Sequence, residues 1–163
     1  MVNIIKIRPI KLEDASKLVE LMKIADYRPE EWSQPKIRKY LKKEGHVILV
    51  AHQGKKLVGY LGLKEVENED SRIRALLGTR VDIFGCAEWM AVHPKQRGRG
   101  IASSLLKAAE GWMKRHKRKG VWLDCRKSVM PLYEKNRYVL AGTYRGTSKS
   151  GLSVLKYVLV KEF

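Results

Sequence analysis

The sequence predicts an α/β protein of the α+β kind, with a mixed, mostly antiparallel sheet of about seven strands and helices on both faces. Three observations predict this fold class. Short runs rich in branched and aromatic residues alternate with amphipathic helical segments. A helix separates the fourth and fifth predicted strands, and such a crossover makes those two strands parallel. No repeat, low-complexity tract or linker interrupts residues 1–163, so a single domain is expected.

Three strands and two helices are predicted in the first part of the chain. The strands cover residues 4–8, 46–51 and 56–63. The first helix begins at Glu13 and Asp14, whose negative charges suit the positive end of a helix dipole. The second helix begins after Ser33, which can cap it. Residues 65–80 are predicted to be a surface loop because they open with a polar, acidic stretch.

The second part of the chain is predicted to contain the parallel strand pair and a closing hairpin. Its elements are strands over 86–92, 121–125, 139–144 and 153–160 and a short helix over 130–136. Cys86 and Cys125 fall in strands predicted to be buried. The long helix before the fifth strand is expected to stop at Gly120. The packing face of this helix is predicted to contain Ile101, Leu105, Ala108, Ala109, Trp112 and His116.

Charge is the strongest compositional signal. The chain has 34 Lys and Arg against 17 Asp and Glu, a net charge of +17. Such a surface attracts polyanions, and the attraction weakens as salt rises. Nonspecific nucleic-acid contact is therefore one candidate interaction. Plentiful Lys, Arg and Glu beside sparse Asn and Gln also fit a thermophilic source.

Other compositional features narrow the class of protein. No stretch approaches the ~20 apolar residues that cross a bilayer, and the N-terminus lacks a signal-peptide pattern. A cytoplasmic protein without membrane contact is therefore expected. Cys86 and Cys125 fit neither a secreted disulfide framework nor a zinc site, so no metal is expected.

A glycine-rich turn joins the fourth predicted strand to the long helix. Gly98 and Gly100 let the backbone bend and approach a ligand closely. The first turn of the helix leaves several N–H groups unpaired at the positive end of its dipole. The turn therefore predicts a pyrophosphate-binding site. A plain connecting turn is the alternative, because neither the dinucleotide-binding nor the Walker glycine pattern is present.

Two segments of the sequence form recognisable motifs. The first is Met90-Ala91-Val92-His93-Pro94 followed by Arg97-x-x-Gly100-x-Ala102, and the second is Leu132-Tyr133-Glu134-Lys135-Asn136-Arg137-Tyr138. They resemble motif A and motif B, respectively, of the GCN5-related N-acetyltransferase (GNAT) family. The resemblance implies a GNAT-like fold and an acyltransferase with acetyl-CoA as co-substrate. It also implies transfer of the acetyl group to a primary amine of a protein or small molecule, by direct attack in a ternary complex. The alternative is a basic polyanion-binding protein that retains the fold with little catalysis.

The resemblance also implies the residues that bind the co-substrate. Main-chain atoms of Met90, Ala91 and Val92 would hold the pantetheine arm and polarise the thioester carbonyl. Main-chain N–H groups would bind the pyrophosphate, and the residues so assigned are Arg97, Gly98, Arg99, Gly100, Ile101, Ala102 and Ser103. The side chains of Arg97 and Arg99 could add positive charge there.

Three side chains are candidates for proton transfer. Tyr133 matches the tyrosine that acts as general acid toward the CoA sulfur, although its ring could instead only pack on the pantetheine. Glu88 lies two residues before Met90, on the same side of the strand, and is the first candidate for the base. Asp124 is the runner-up, and either carboxylate could instead balance a nearby Lys or Arg.

Other features of the motifs leave questions open. Where many family members have Asn and Gly around motif B, this sequence has Arg126 and Arg137. The resemblance makes Tyr27, Trp32 and Tyr40 candidate acceptor contacts, with ordinary packing as the alternative. The identity of the acceptor amine does not follow from the sequence, and a homodimer is left open.

Overall fold

The computed structural model describes residues 4–25, 32–65, 70–148 and 150–163. Its strands are β1 (Ile5–Pro9), β2 (His46–Gln53), β3 (Lys56–Lys64), β4 (Phe84–Val92), β5 (Gly120–Cys125), β6 (Val139–Thr147) and β7 (Ser153–Glu162). Its helices are α1 (Ala15–Ala25), α2 (Gln34–Leu41), α3 (Ser71–Leu77), α4 (Arg80–Ile83), α5 (Ile101–Arg115) and α6 (Met130–Lys135). The strands form one seven-stranded sheet in the order β1-β2-β3-β4-β5-β7-β6. The predicted fold class is confirmed.

The chain divides into two compact units. The first unit consists of Met1–Lys64 and Glu88–Gly111, and the second of Glu65–Ala87 and Trp112–Phe163. Strand β4 and helix α5 each contribute residues to both units. The single-domain organisation expected from the sequence stays a prediction.

The core of the first unit lies between its helices and strands β2 and β3. Leu18 and Met22 on α1 and Ile37 on α2 are fully buried together with Ile48 and Tyr60. Ser33 caps α2 by accepting a hydrogen bond from the Lys36 N–H, as the sequence predicted. The apolar side of each helix therefore seals one face of the antiparallel strands.

The second unit contains the parallel strand pair. Phe84, Gly85 and Cys86 of β4 pair in parallel with Gly120, Val121 and Trp122 of β5, which confirms the predicted orientation. Strand β5 then pairs antiparallel with β7, which also pairs with β6. Cys86 and Cys125 are free thiols and both are buried, as expected.

The prediction of a loop over residues 65–80 is wrong for the part that the structure describes. Residues 71–77 form α3, and α4 begins at Arg80. The Asp70 carboxylate accepts the Arg72 N–H at 2.9 Å and so caps α3. Ile73, Leu77 and Val81 recur every four residues and are buried against Phe84 and Trp122, among others. The helical period was present, but the acidic stretch before it obscured it. That stretch, residues 67–69, lies outside the described residues.

The end of α5 also differs from the prediction. The helix stops at Arg115, and Lys117 adopts a left-handed conformation with φ 59°. Gly120 is the first residue of β5, where a Cβ atom would lie 2.6 Å from the Lys161 carbonyl oxygen. His116 is exposed rather than on the packing face, and its ring stacks on Trp112 at 3.8 Å. The apolar residues of α5 that are buried are Ile101, Leu105, Leu106, Ala109, Trp112 and Met113, and Glu110 of the same helix is buried as well.

Asp14 ties the first strand to the start of α1. Its carboxylate accepts hydrogen bonds from two Arg8 nitrogens at 2.7 and 3.2 Å and from the Lys11 N–H at 3.0 Å. The residue is only 5% exposed. The sequence placed Asp14 at a helix start, but it ends a short 3-10 turn before α1. The Arg8 hydrogen bond holds the pKa of Asp14 below its ordinary value despite burial.

We expect Asp14→Asn to lower the free energy of unfolding by about 1–3 kcal/mol at pH 7, because a charge-assisted hydrogen bond is lost. A carboxyl with a depressed pKa in the folded state stabilises above its unfolded pKa, near ~3.9, and loses that contribution as pH falls through its folded value. The difference in unfolding free energy between the parent and Asp14→Asn should therefore shrink below about pH 4. Denaturant unfolding from pH 7 to pH 2 measures it. The exposed neighbour Glu13 supplies the control, Glu13→Gln. An equal deficit at every pH would contradict the ionic role of Asp14.

Candidate active site

The segment after β4 is fixed by hydrogen bonds within the first unit. The His93 N–H donates to the Val58 carbonyl of β3 at 2.8 Å. The His93 ring nitrogen Nδ1 accepts the Lys95 N–H at 3.1 Å, which caps a short 3-10 helix over Pro94–Gln96. These contacts set the direction in which the chain leaves the sheet and enters the glycine turn.

The glycine turn exposes its backbone. Gly98 and Gly100 have φ values of 74° and 78°, a region that favours glycine. A Cβ on either would meet no atom of the described residues within 4 Å. The Ser104 N–H donates to the Gly100 carbonyl at 3.0 Å. The N–H groups of Ile101 and Ala102 come before this first intrahelical bond, as at any helix start. Open space, bent backbone and the positive end of a 15-residue helix together suit an anionic ligand.

The two arginines of the turn make different contacts. Arg97 donates from Nε to the Val92 carbonyl at 3.0 Å and from its guanidinium to the Ala25 carbonyl at 3.4 Å. Arg97 therefore joins the end of β4 to the end of α1. Arg99 is exposed and donates to the Gln96 side chain at 3.1 Å. The predicted phosphate contacts of both side chains stay predictions.

Glu88 lies on β4, and its carboxylate contacts two side chains from other elements. The Lys64 ammonium lies 2.5 Å from Oε1, and the Tyr40 hydroxyl lies 2.7 Å from Oε2. The side chains of Lys64 and Glu88 are 22% and 18% exposed, so this ion pair is largely shielded from water. The Tyr40 hydroxyl is also 2.9 Å from the Leu63 carbonyl. It has one hydrogen, and the charged carboxylate is the stronger acceptor.

An aromatic cluster adjoins this carboxylate. The Trp89 ring centroid lies 4.6 Å from that of Trp32, 5.2 Å from Tyr40 and 5.8 Å from Tyr60. The His46 ring meets Tyr40 edge-on at 4.8 Å. Trp32 and Tyr40, two of the predicted acceptor contacts, thus pack around Trp89, and Tyr40 also bonds Glu88. Tyr27, the third, lies outside the described residues.

The Lys64 contact matches the alternative in which Glu88 balances a nearby cation, although the sequence indicated neither Lys64 nor Tyr40 as its partner. Lys64 ends β3, 24 positions before Glu88 in the numbering of the chain. No local pattern links a lysine at a strand end to a glutamate in the next strand of the sheet. Only the register between strands brings the two charges together.

Tyr133 and Asp124 belong to the second unit. Tyr133 lies on α6, and its ring meets Tyr138 edge-on at 6.0 Å. Burial, followed by Cys125 and Asp124, raises the pKa of Tyr133 above its ordinary value, so the hydroxyl keeps its proton at neutral pH. Burial likewise raises the pKa of the Cys125 thiol to about 11, which makes it an inert neutral thiol rather than a nucleophile.

Asp124 lies in a polar network of the second unit. It accepts a very short hydrogen bond from the Tyr144 hydroxyl, and the Lys156 ammonium is 3.9 Å away. The Arg72 guanidinium covers the Tyr144 ring at 4.7 Å and is itself held by Asp70 at 2.8 Å. Burial and the Asp124 hydrogen bond raise the pKa of Tyr144. These contacts match the structural alternative for Asp124, a carboxylate balanced by cations.

The described part of the chain contains neither a metal-binding cluster nor a candidate membrane-spanning helix. Within 4–25, 32–65, 70–148 and 150–163, no group of three His, Cys, Asp or Glu residues could hold a metal ion. No helix in those same ranges is long and apolar enough to span a membrane.

Comparison with known proteins identifies the family. The model of the Acetyltransferase (GNAT) family matches residues 15–137. No curated protein sequence matches the chain significantly. The chain therefore belongs to the GNAT acetyltransferase family. It is an acyltransferase, and its co-substrate is acetyl-CoA.

Solved structures show the same fold at low sequence identity. A probable acetyltransferase from Staphylococcus epidermidis superposes with a TM-score of 0.79 at 15% identity, over 98% of this chain and 99% of that one. Arabidopsis thaliana NAA60, solved with acetyl-CoA, gives 0.77 at 19% identity over 98% and 99%. The ribosomal-protein-S18-alanine N-acetyltransferase of Escherichia coli gives 0.74 at 15% identity over 98% and 94%.

The residues of the glycine turn fit the pyrophosphate of acetyl-CoA. The two glycines leave the space above their backbone open, and N–H groups of the helix start adjoin it. A side chain at either position would enter that space. The fit rests on backbone geometry and does not require either arginine side chain.

We expect Gly100→Ala to weaken acetyl-CoA binding by at least about 10-fold, because its methyl group occupies the open space and strains the turn. Calorimetric titration with acetyl-CoA measures the affinity. The matched control is Gly54→Ala, since Gly54 also has a positive φ of 57° and open space above it, in the β2–β3 turn. Equal acetyl-CoA affinities in the two folded variants would show that the pyrophosphate does not bind at the glycine turn.

Proposed function

We propose that the chain transfers the acetyl group of acetyl-CoA to a primary amine of a protein or small molecule, by direct attack in a ternary complex. One observation carries the proposal. Within the first unit, the open glycine turn follows β4 after a short 3-10 helix, and β4 itself contains Glu88, which the Tyr40 hydroxyl contacts. An anion-binding turn and a candidate base on one strand are what a transfer from a CoA thioester to an amine requires.

The proposed binding residues are those of β4 and the turn. Main-chain atoms of Met90, Ala91 and Val92 would hold the pantetheine and polarise the thioester carbonyl, which develops negative charge during attack. Main-chain groups from Arg97 to Ser103 would bind the pyrophosphate. The contacts of Arg97 with Val92 and Ala25 support a bracing role for its side chain.

Glu88 is the proposed base. An amine attacks only in its neutral form, so the acceptor must lose a proton before or during attack. Glu88 would accept that proton directly or through a water molecule. Asp124 is the second candidate. Each carboxylate has a tyrosine and a lysine partner, so we prefer Glu88 because it shares β4 with Met90, Ala91 and Val92.

Tyr133 is the proposed general acid. A phenol whose pKa is raised by burial keeps its proton at neutral pH and can deliver it to the departing sulfur. Without that proton the leaving group departs as a thiolate, which is the costlier route. The general-acid role therefore requires the hydroxyl of Tyr133, whereas a packing role would require only its ring.

A protein acceptor is favoured by one of the structural neighbours. The Escherichia coli enzyme is named for an alanine of a ribosomal protein. Alanine has no amine in its side chain, so a protein amine is the corresponding acceptor class. The cytoplasmic location and the lack of membrane contact expected from the sequence stay predictions, and so does the thermophilic source that the composition fits. A homodimer stays open.

An acceptor panel tests this function. Free amines, peptides and basic proteins are each mixed with the protein and acetyl-CoA, and release of the CoA thiol is followed. We expect turnover with at least one primary amine, and we expect Tyr133→Phe to lower it by about 10–100-fold with little change in acetyl-CoA affinity.

The matched control for that variant is Tyr157→Phe, the same change in strand β7 of the second unit. Its turnover should equal that of the parent. If Tyr133→Phe is equally fast while chemistry limits the rate, Tyr133 is a packing residue only. Acetyl-CoA binding without turnover on any amine would refute the transfer reaction.

A second function is supported by the charge of the second unit. The helix end and the following segment carry Lys114, Arg115, Lys117 and Lys119, all exposed. A groove of about 480 Å³ is lined in its described part by Arg126, Lys127, three serines and four apolar or aromatic residues, without a carboxylate. These features favour contact with a polyanion such as nucleic acid, as a second function beside catalysis.

If the basic helix end binds duplex DNA, log Kd should vary linearly with log salt concentration, whatever the sequence. Each neutralised phosphate contributes about −0.9 to the slope of log affinity. Changing Lys114, Arg115 and Lys119 to Ala should reduce the slope by up to about three. Arg118 is left intact because it is half-buried and donates to the Asp82 carbonyl.

The control removes the same number of exposed charges from the first unit, with Lys36, Lys39 and Lys43 changed to Ala. Electrophoretic or fluorescence titration at several salt concentrations gives both slopes. Equal slopes for the two triple variants would mean that the helix end is not the binding surface.

A further inference from the structure

The carboxylate proposed as base already holds a cation of its own chain. Lys64 Nζ is 2.5 Å from Glu88 Oε1, and the Tyr40 hydroxyl is 2.7 Å from Oε2. Both carboxylate oxygens therefore have partners, from β3 and from α2. The His46 ring of β2 meets the Tyr40 ring edge-on at 4.8 Å.

This arrangement changes which amines the site can use. A carboxylate without a partner attracts an ammonium ion and offsets the cost of deprotonating it. Here the negative charge of Glu88 is balanced by Lys64, and an incoming ammonium would meet a like charge. The site therefore favours an acceptor amine that binds in its neutral, unprotonated form.

Acceptor amines differ greatly in the fraction that is unprotonated near neutral pH. A lysine ε-amine has a pKa near ~10.4, whereas a polypeptide α-amine has a pKa of about 7.7–8.0. At pH 7.5 the neutral fraction of the α-amine exceeds that of the ε-amine by roughly 250-fold. A site that attracts ammonium ions can bind protonated lysine and so offset much of this difference in neutral fraction. A site in which Lys64 already pairs with the carboxylate cannot.

We infer that the acceptor of this site is the α-amino group of a polypeptide rather than a lysine side chain, and that Lys64 sets this preference. The inference rests on the proposed function and on Glu88 as its base. Lys64 is a positioning and selecting residue, because it acts on the acceptor through the charge of Glu88 and its own. The bond that breaks is the thioester C–S bond, and the bond that forms joins the acyl carbon to the α-nitrogen. The nitrogen's proton leaves through Glu88, and the thiol receives one from Tyr133.

Two peptides of matched composition test the inference with the full-length protein and acetyl-CoA at pH 7.5. One has a free N-terminus and no lysine, and the other has a blocked N-terminus and one lysine. We expect kcat/KM for the free N-terminus to be at least about 10-fold higher. Lys64→Met, which keeps most of the length of the side chain and removes its charge, should narrow that ratio by about 10-fold. The ratio should narrow because kcat/KM for the lysine peptide rises.

The matched control is Lys56→Met, at the opposite, exposed end of the same strand. It should keep the parent ratio. A parent enzyme that prefers lysine, or a folded Lys64→Met enzyme with the parent ratio, would overturn the inference and leave acetyl transfer intact. Absence of turnover with both peptides and with the acceptor panel would overturn the proposed function and the inference together.

Discussion

Strand β4 belongs to both compact units, and the proposed chemistry depends on how it is held. Its first residues, Phe84 to Cys86, pair with β5 in the core of the second unit. Later residues, Trp89 and Ala91, pack against the core of the first unit. A strand fixed by hydrogen bonds at one end and by side-chain packing further along has little freedom to slide. Because side chains alternate along a strand, a slip of one residue would turn Glu88 to the other face.

The order of the elements followed from local patterns in the sequence. Hydrophobic alternation predicted the strands, and a helix between two strands predicted their parallel pairing. Motif A predicted the glycine turn, where φ values of 74° and 78° agree with the residue type. Helix α3 was missed because its cap, Asp70, follows an acidic stretch that resembles a loop. The end of α5 was misplaced because Lys117 adopts the left-handed conformation that a glycine was expected to supply.

The candidate site was only partly predictable for a different reason. Glu88 could be chosen from its position two residues before Met90, but its partners lie far away in sequence. Lys64 and Tyr40 reach it through sheet register and helix packing, which no single segment encodes. The contact between Asp124 and Tyr144 arises in the same way, from strands separated along the chain. Local chemistry thus indicated the carboxylates, and long-range contacts determined what each carboxylate can do.

The packing of Trp89 also gives the protein an optical property. The rings of Trp32 and Trp89 lie 4.6 Å apart, and Trp89 follows Glu88 directly in β4. Indole emission depends on the polarity and charge around the ring, so a change at the carboxylate alters the light that this pair emits. Trp112 lies in the second unit, stacked on the exposed His116, and responds to a separate environment. The Trp32–Trp89 pair is therefore a native fluorescence reporter of changes around Glu88, which needs no attached dye.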